Sequence, residues 1–183
     1  MTGNGMRTAL TRWIVLLAAL AFAWGPAGCS KEDPAAPGAS KTVVLKTWDF
    51  AEGIPADWLM NENLVIKKID GGMAEITTVP GIHTYQVWSA YPLLLRDGEY
   101  QFQIEGELMG PVWAGVEDIK AGTFIVTRET GGGAKGDSER PLVMAQFPIL
   151  TNTEVGVRLY TAGGPEPITF RIRRARIVQI QHP

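Results

Sequence analysis

From Thr42 to the C-terminus apolar residues recur at every second position, and no segment sustains a helical period for three turns. A period of two marks strands that bury one face and wet the other. In Glu99–Leu108, Tyr100, Phe102, Ile104 and Leu108 alternate with Glu99, Gln101, Gln103, Glu105 and Glu107, so the first set is expected inward and the second in water. The same alternation sets Val155, Val157 and Leu159 against Arg158 and Tyr160, and Tyr85 and Val87 against Gln86 and Trp88. The last segment, Ile168–Ile177, keeps Ile168, Phe170 and Ile172 on one face and then changes phase to Ala175 and Ile177. That change predicts an extra residue, a β-bulge, at Arg173-Arg174. Further strands are predicted over 42–47, 64–69, 73–79, 113–117, 123–127 and 142–149, with turns at Asp70-Gly71-Gly72, Pro80-Gly81, Arg96-Asp97-Gly98, Gly131–Gly136 and Gly163-Gly164-Pro165. About nine or ten short strands at this spacing predict an all-β fold, a β-sandwich in preference to a barrel.

The N-terminus departs from this pattern. Arg7 and Arg12 precede an unbroken apolar run from Trp13 to Trp24, followed by small residues. A basic start, a short apolar stretch and small residues define an export signal over 1–28. The run falls short of the roughly 20 apolar residues that a membrane-spanning helix needs. Pro26-Ala27-Gly28-Cys29-Ser30 resembles the lipobox of bacterial lipoproteins, with Pro26 standing where that motif usually carries an aliphatic residue. The resemblance implies that Cys29, the only cysteine, is lipidated and becomes the new N-terminus; the alternative is ordinary cleavage after Ala23 or Gly28 with Cys29 as a free thiol. A single cysteine also rules out an internal disulfide. Residues 29–41, rich in Pro, Ala, Gly and Ser, read as a flexible tether, and 42–183 as one domain. Ser30 is similar to the outer-membrane sorting pattern, so the expected location is the cell envelope, lipid-anchored, on the periplasmic or surface side of the outer membrane.

Charge narrows the partners. Seventeen Lys and Arg, two of them before Cys29, stand against nineteen Asp and Glu, all after it. A mildly acidic exported part offers no electrostatic support for nucleic-acid binding.

The order Trp48-Asp49-Phe50, Gly53–Trp58, Tyr85–Ser89, Arg96–Tyr100, Ala114–Asp118 and Ile168–Ile177 resembles the galactose-binding-like jelly rolls, which include many non-catalytic carbohydrate-binding modules. The resemblance implies a polysaccharide ligand. Indole and phenol rings stack on sugar C–H faces, while carboxylates, amides and guanidiniums hydrogen-bond hydroxyls. Trp48 and Trp58, bracketing a loop, are expected to be core plugs. Trp88 and Trp113 are the aromatic candidates, each with packing as the alternative. Joined by Gln101, Gln103, Glu105, Arg158, Tyr160 and Arg171, with Gln86, Glu107 and Arg173 beside them, they would form one polar surface if their strands share a sheet. The alternative is a solvated face with cross-strand ion pairs.

Catalysis is weakly supported. Glu105 and Glu107 would lie about 7 Å apart on one strand, a spacing that suits inverting glycosidases, but both approach from the same side. With only His83 and His182 the chain offers no metalloprotease or Ser-His-Asp pattern. Gly131–Gly136 lacks phosphate-loop spacing and reads as a mobile hairpin loop. No cofactor is expected; the resemblance implies a possible structural calcium, for which Asp49, Glu52, Asp57, Asp70 and Asp118 are loop candidates. An envelope protein-interaction or assembly role, with no sugar ligand, is the alternative function.

Overall fold

In the computed structural model, residues 40–81 and 84–182 are described, with 84–86 described in backbone only. The predicted export signal, Cys29, the tether up to residue 39 and His83 lie outside the described residues.

Thirteen strands account for the described fold: β1 (Lys41–Asp49), β2 (Trp58–Met60), β3 (Leu64–Ile69), β4 (Met73–Thr78), β5 (Thr84–Ser89), β6 (Leu93–Leu95), β7 (Gly98–Leu108), β8 (Val112–Asp118), β9 (Thr123–Thr130), β10 (Lys135–Gly136), β11 (Leu142–Ile149), β12 (Thr153–Ala162) and β13 (Thr169–Gln181). One sheet holds β11, β10, β7, β13, β1, β4 and β3; the other holds β2, β5, β6, β12, β8 and β9. The pairings nest. β4 pairs β13, β5 pairs β12, β7 pairs β11 and β8 pairs β9, all antiparallel, as in one long hairpin. Rolling that hairpin brings β7 against β13 and β8 against β12, which gives each sheet four of these eight strands and closes them into a jelly roll. The sandwich is therefore the expected one, with more strands than expected. The three additions, β2, β6 and β10, have two or three residues each, too few to display a period of two. β1 also starts one residue earlier than the predicted domain boundary, because Lys41 already pairs with Gln181.

The core forms where the inner faces of the two sheets meet. Phe102, Ile104 and Leu108 of β7, Ile172 and Ile177 of β13, and Val116 and Leu159 of the second sheet are fully enclosed. Trp48, Phe50 and Trp58 close one end as two edge-to-face contacts with ring centroids 5.4 and 5.2 Å apart, so both tryptophans are core plugs, as their position suggested. Such edge-to-face pairs add about 0.5–1.5 kcal/mol each beyond the area they bury.

The predicted bulge is present. The β7–β13 register slips between Ile172 and Arg174, which leaves Arg173 as the extra residue, its carbonyl accepting the Phe50 N–H at 2.8 Å. Opposite the slip sits Gly106, where an added Cβ would press into the Arg171 carbonyl, so the backbones approach closely there only because the residue is glycine.

Two expectations are corrected. Gln103 and Glu105 are not in water: they are 6% and 4% exposed, covered by Arg174 and Arg176 of the neighbouring β13. Alternation sets which face a side chain leaves by, and long arginine stems on the next strand then cover it. The Gly131–Gly136 run is not a free hairpin loop. Gly133 donates its N–H to the Leu108 carbonyl, Ala134 accepts from Leu108, and Lys135-Gly136 extends the sheet beside Glu107 and Gly106.

Candidate functional site

The polar positions expected to share one surface divide between the two sheets. Gln101, Gln103, Glu105, Glu107 and Arg171 lie on the outer face of the first; Trp88, Trp113, Arg158 and Tyr160 lie on the outer face of the second. Opposite faces of a sandwich cannot contact one ligand together. Each half is its own surface.

The first sheet's half is a charge ladder. Lys67, Glu75, Arg171, Glu107 and Lys135 stand opposite one another across five strands, with signs alternating. Arg171 reaches Glu75 at 2.9 Å and Glu107 at 3.5 Å, and Lys135 reaches Glu107 at 2.7 Å. One step along, Glu105 lies 3.7 Å from Arg174 and 3.8 Å from Arg176, while Gln103 accepts from Arg176 and donates to Gln101. These are the cross-strand pairs of a polar sheet face. The hydrogen bond from Lys135, helped by Arg171, holds the Glu107 carboxyl below its ordinary range. A general acid needs the opposite shift.

The second sheet's half is aromatic. Val87 is buried, so Trp88 next to it faces out, partly buried, with Arg158 directly opposite on β12. Tyr160 stands opposite Trp113, and their rings stack at 6.1 Å and 18°. A fourth ring, Phe124, joins them 6.5 Å from Tyr160, and the Arg158 guanidinium lies 5.7 Å from its centre. Glu117 of β8 pairs with the same guanidinium. Arg158 is thus held by a carboxylate and a ring in the middle of an aromatic surface. Leu59 extends that surface past Trp88 on β2, about half exposed.

Phe124 belongs to this face through two local features. The β8–β9 register slips between Val116 and Glu117, so Val126 faces the core beside Val116 while Phe124 sits opposite outward-facing Glu117. Simple alternation would have placed Phe124 and Val126 on the same side, which is why the sequence pattern did not single it out. Beneath the ring lies Gly115: a Cβ there would come within 2.6 Å of the ring edge. One edge of the ring closes against bare backbone.

The loop carboxylates have protein partners. Asp49 accepts from the Ala51 N–H and lies 3.6 Å from Arg174, Glu52 pairs with Lys68, Asp57 with Lys46 at 2.9 Å, and Asp118 accepts from the Ala121 N–H. Asp70 is exposed. Among the described residues no three His, Cys, Asp or Glu side chains gather as a metal site would require.

No family model matches the chain, and no curated protein matches it in sequence. Solved structures share its run of strands at a distance. A point mutant of a family 29 carbohydrate-binding module is similar over 78% of this chain and 92% of its own, at 15% identity and a TM-score of 0.44. The apo CBM1 of BiXyn10A is similar over 73% and 96%, at 19% identity and 0.49. PfGH50B is similar over 66% of this chain but 22% of its own, at 10% identity and 0.47.

Proposed function

We propose that the protein is a lipid-anchored, non-catalytic envelope component whose jelly roll binds polysaccharide through the outer face of its second sheet. The observation that carries this reading is the set Trp88, Trp113, Phe124 and Tyr160 arranged around the Arg158–Glu117 pair. Phe124 is exposed and the other three rings are partly so, and a contiguous apolar patch on a surface marks an interaction site. Sugar rings supply flat C–H faces for the indole and phenol, and their hydroxyls suit a guanidinium and a carboxylate already fixed in place. Pre-organisation of Arg158 by Glu117 and Phe124 lowers the entropy lost on binding.

Among the described residues the face offers stacking and hydrogen bonding but no acid–base couple, which supports binding without cleavage. Lipidation of Cys29 and an outer-membrane location are part of the proposal and rest on the sequence. One acyl chain gives only marginal binding, whereas several would anchor the protein firmly, since each buried CH₂ adds about 0.8 kcal/mol.

The test is titration of the purified protein against a panel of neutral cell-wall and plant polysaccharides, followed by tryptophan fluorescence and calorimetry. Saturable quenching that is lost in Trp113→Ala and Tyr160→Ala supports the reading. A flat response across the panel, with recovery of one stoichiometric protein from solubilised envelopes, would support the assembly role in its place. Mass spectrometry of the mature protein decides the anchor: an unmodified Cys29 refutes it.

A further inference from the structure

On the outer face of the first sheet, away from the aromatic surface, lies a cavity of about 560 Å³. It is bounded by the β3–β4 turn at Gly71 and Met73, by Glu105 and Glu107 of β7, by the segment from Lys135 to Arg140 after β10, and by Arg173. That volume falls inside the range of small-ligand pockets, roughly 300–1,000 Å³. Among the described residues its lining contains no aromatic ring, so stacking is not the recognition those residues offer.

The charges in its wall balance in number and differ in commitment. Glu105 is engaged by Arg174 and Arg176, and Glu107 by Lys135 and Arg171. Asp137 uses one oxygen to accept the backbone N–H groups of Glu139 and Arg140, at 2.9 and 2.7 Å, which shapes the turn. Two guanidiniums remain. Arg173 makes no ion pair with any described residue, and Arg140 has no carboxylate within 4 Å among them. Arg173 is the bulge residue: the extra residue turns an exposed side chain towards the cavity while its carbonyl fixes the backbone to Phe50. Re-aiming one side chain is a recurrent use of bulges.

A cavity in which Glu105 and Glu107 are paired with cations, Arg140 has only the nearby charge of Asp137 to offset it and Arg173 has no ion-pair partner among the described residues favours an anion. We propose that it is a second binding site, independent of the aromatic face, for the carboxylate of an acidic sugar, with Arg173 and Arg140 holding the carboxylate of a uronate unit. Planar guanidinium forks match carboxylate geometry, which a point charge does not. Ser138 and the second oxygen of Asp137, neither with a hydrogen-bond partner among the described residues, would take ring hydroxyls.

The experiment titrates the full chain with trigalacturonate, with the neutral galactose trimer and with sodium sulfate, read by calorimetry. Trigalacturonate is expected to bind saturably, the neutral trimer and sulfate at least tenfold more weakly. Arg173→Ala and Arg140→Ala should each weaken trigalacturonate about tenfold or more, the cost of a charge-assisted hydrogen bond. Arg173→Lys should recover only part of the loss, and Trp113→Ala should leave trigalacturonate affinity at the parent value, which separates this site from the aromatic one. Urea unfolding of Arg173→Ala at the wild-type midpoint shows that the fold survives, as expected from an exposed side chain whose structural contact is its carbonyl. Equal binding of sulfate, or unchanged trigalacturonate affinity in both alanine variants, overturns the proposal.

Discussion

Two glycines that look alike in sequence should respond in opposite ways to one methyl group. Gly106 and Gly115 both lie inside strands and both are buried. At Gly106 the three atoms nearest an added Cβ are all backbone of β13: it would overlap the Arg171 carbonyl oxygen, with the carbonyl carbon at 3.1 Å and the Ile172 Cα at 3.2 Å. Backbone in a paired strand cannot step aside without breaking the ladder between the two longest strands. Overpacking of about 1–3 kcal/mol, plus one or two ladder hydrogen bonds at about 1 kcal/mol each, brings Gly106→Ala to about 3 kcal/mol or more. That is a large part of a domain's typical 5–15 kcal/mol. At Gly115 the obstacle is the Phe124 ring, 2.6 and 3.0 Å from the added carbon. A half-exposed side chain can swing away. Lifting the ring forfeits its contacts with Arg158 and Tyr160, about 1–2 kcal/mol together, and replacing a strand glycine returns about 0.5–1 kcal/mol of chain entropy. Gly115→Ala should therefore cost about 1 kcal/mol or less. Urea denaturation of the purified variants followed by far-UV circular dichroism measures both. If Gly106→Ala unfolds within 1 kcal/mol of the parent, or Gly115→Ala loses as much as Gly106→Ala, the contrast between rigid backbone and mobile ring is wrong.

Other expectations follow from the same geometry. Gly115→Ala, although stable, should weaken neutral polysaccharide about as much as Phe124→Ala does, because one displaces the ring from the face and the other removes it; calorimetry compares them, and unchanged affinity in both removes Phe124 from the binding face. The carboxyls of Glu107 and Asp137 titrate below their ordinary 4.5 and 3.8, held by Lys135 and by the Arg140 and Glu139 N–H groups. Their contribution is present above those ordinary values and is lost as pH falls through the lower folded ones. The urea midpoint should therefore drop below about pH 4.5, and Glu107→Gln should flatten the drop; an equally steep profile in the variant refutes the assignment. Chelation should leave the thermal midpoint unchanged, because Asp49, Glu52, Asp57 and Asp118 are each committed to a protein donor; a fall in Tm with EDTA that calcium restores would establish a cation site.

Alternation along single strands was enough to identify Tyr100, Phe102, Ile104, Val157 and Leu159 as core, and a break in it located the bulge at Arg173. Those properties are local: a period of two is written within one strand and holds whatever its neighbours are. The aromatic loop residues Trp48 and Trp58 were legible as plugs for a related reason, since large rings flanking a short loop have little else to cover. Local pattern could not say which strands lie side by side. Trp88 and Arg158 are 70 positions apart, and Gln103 is as far in sequence from Arg176, yet only the first pair belongs with Trp113. Sheet membership is decided by how the long hairpin rolls up, a choice made through pairings between distant residues. The same long-range pairing created what no single segment contained: Phe124 turned outward by a slipped register, Glu105 buried under the next strand's arginines, and a cavity assembled from four separate stretches of chain.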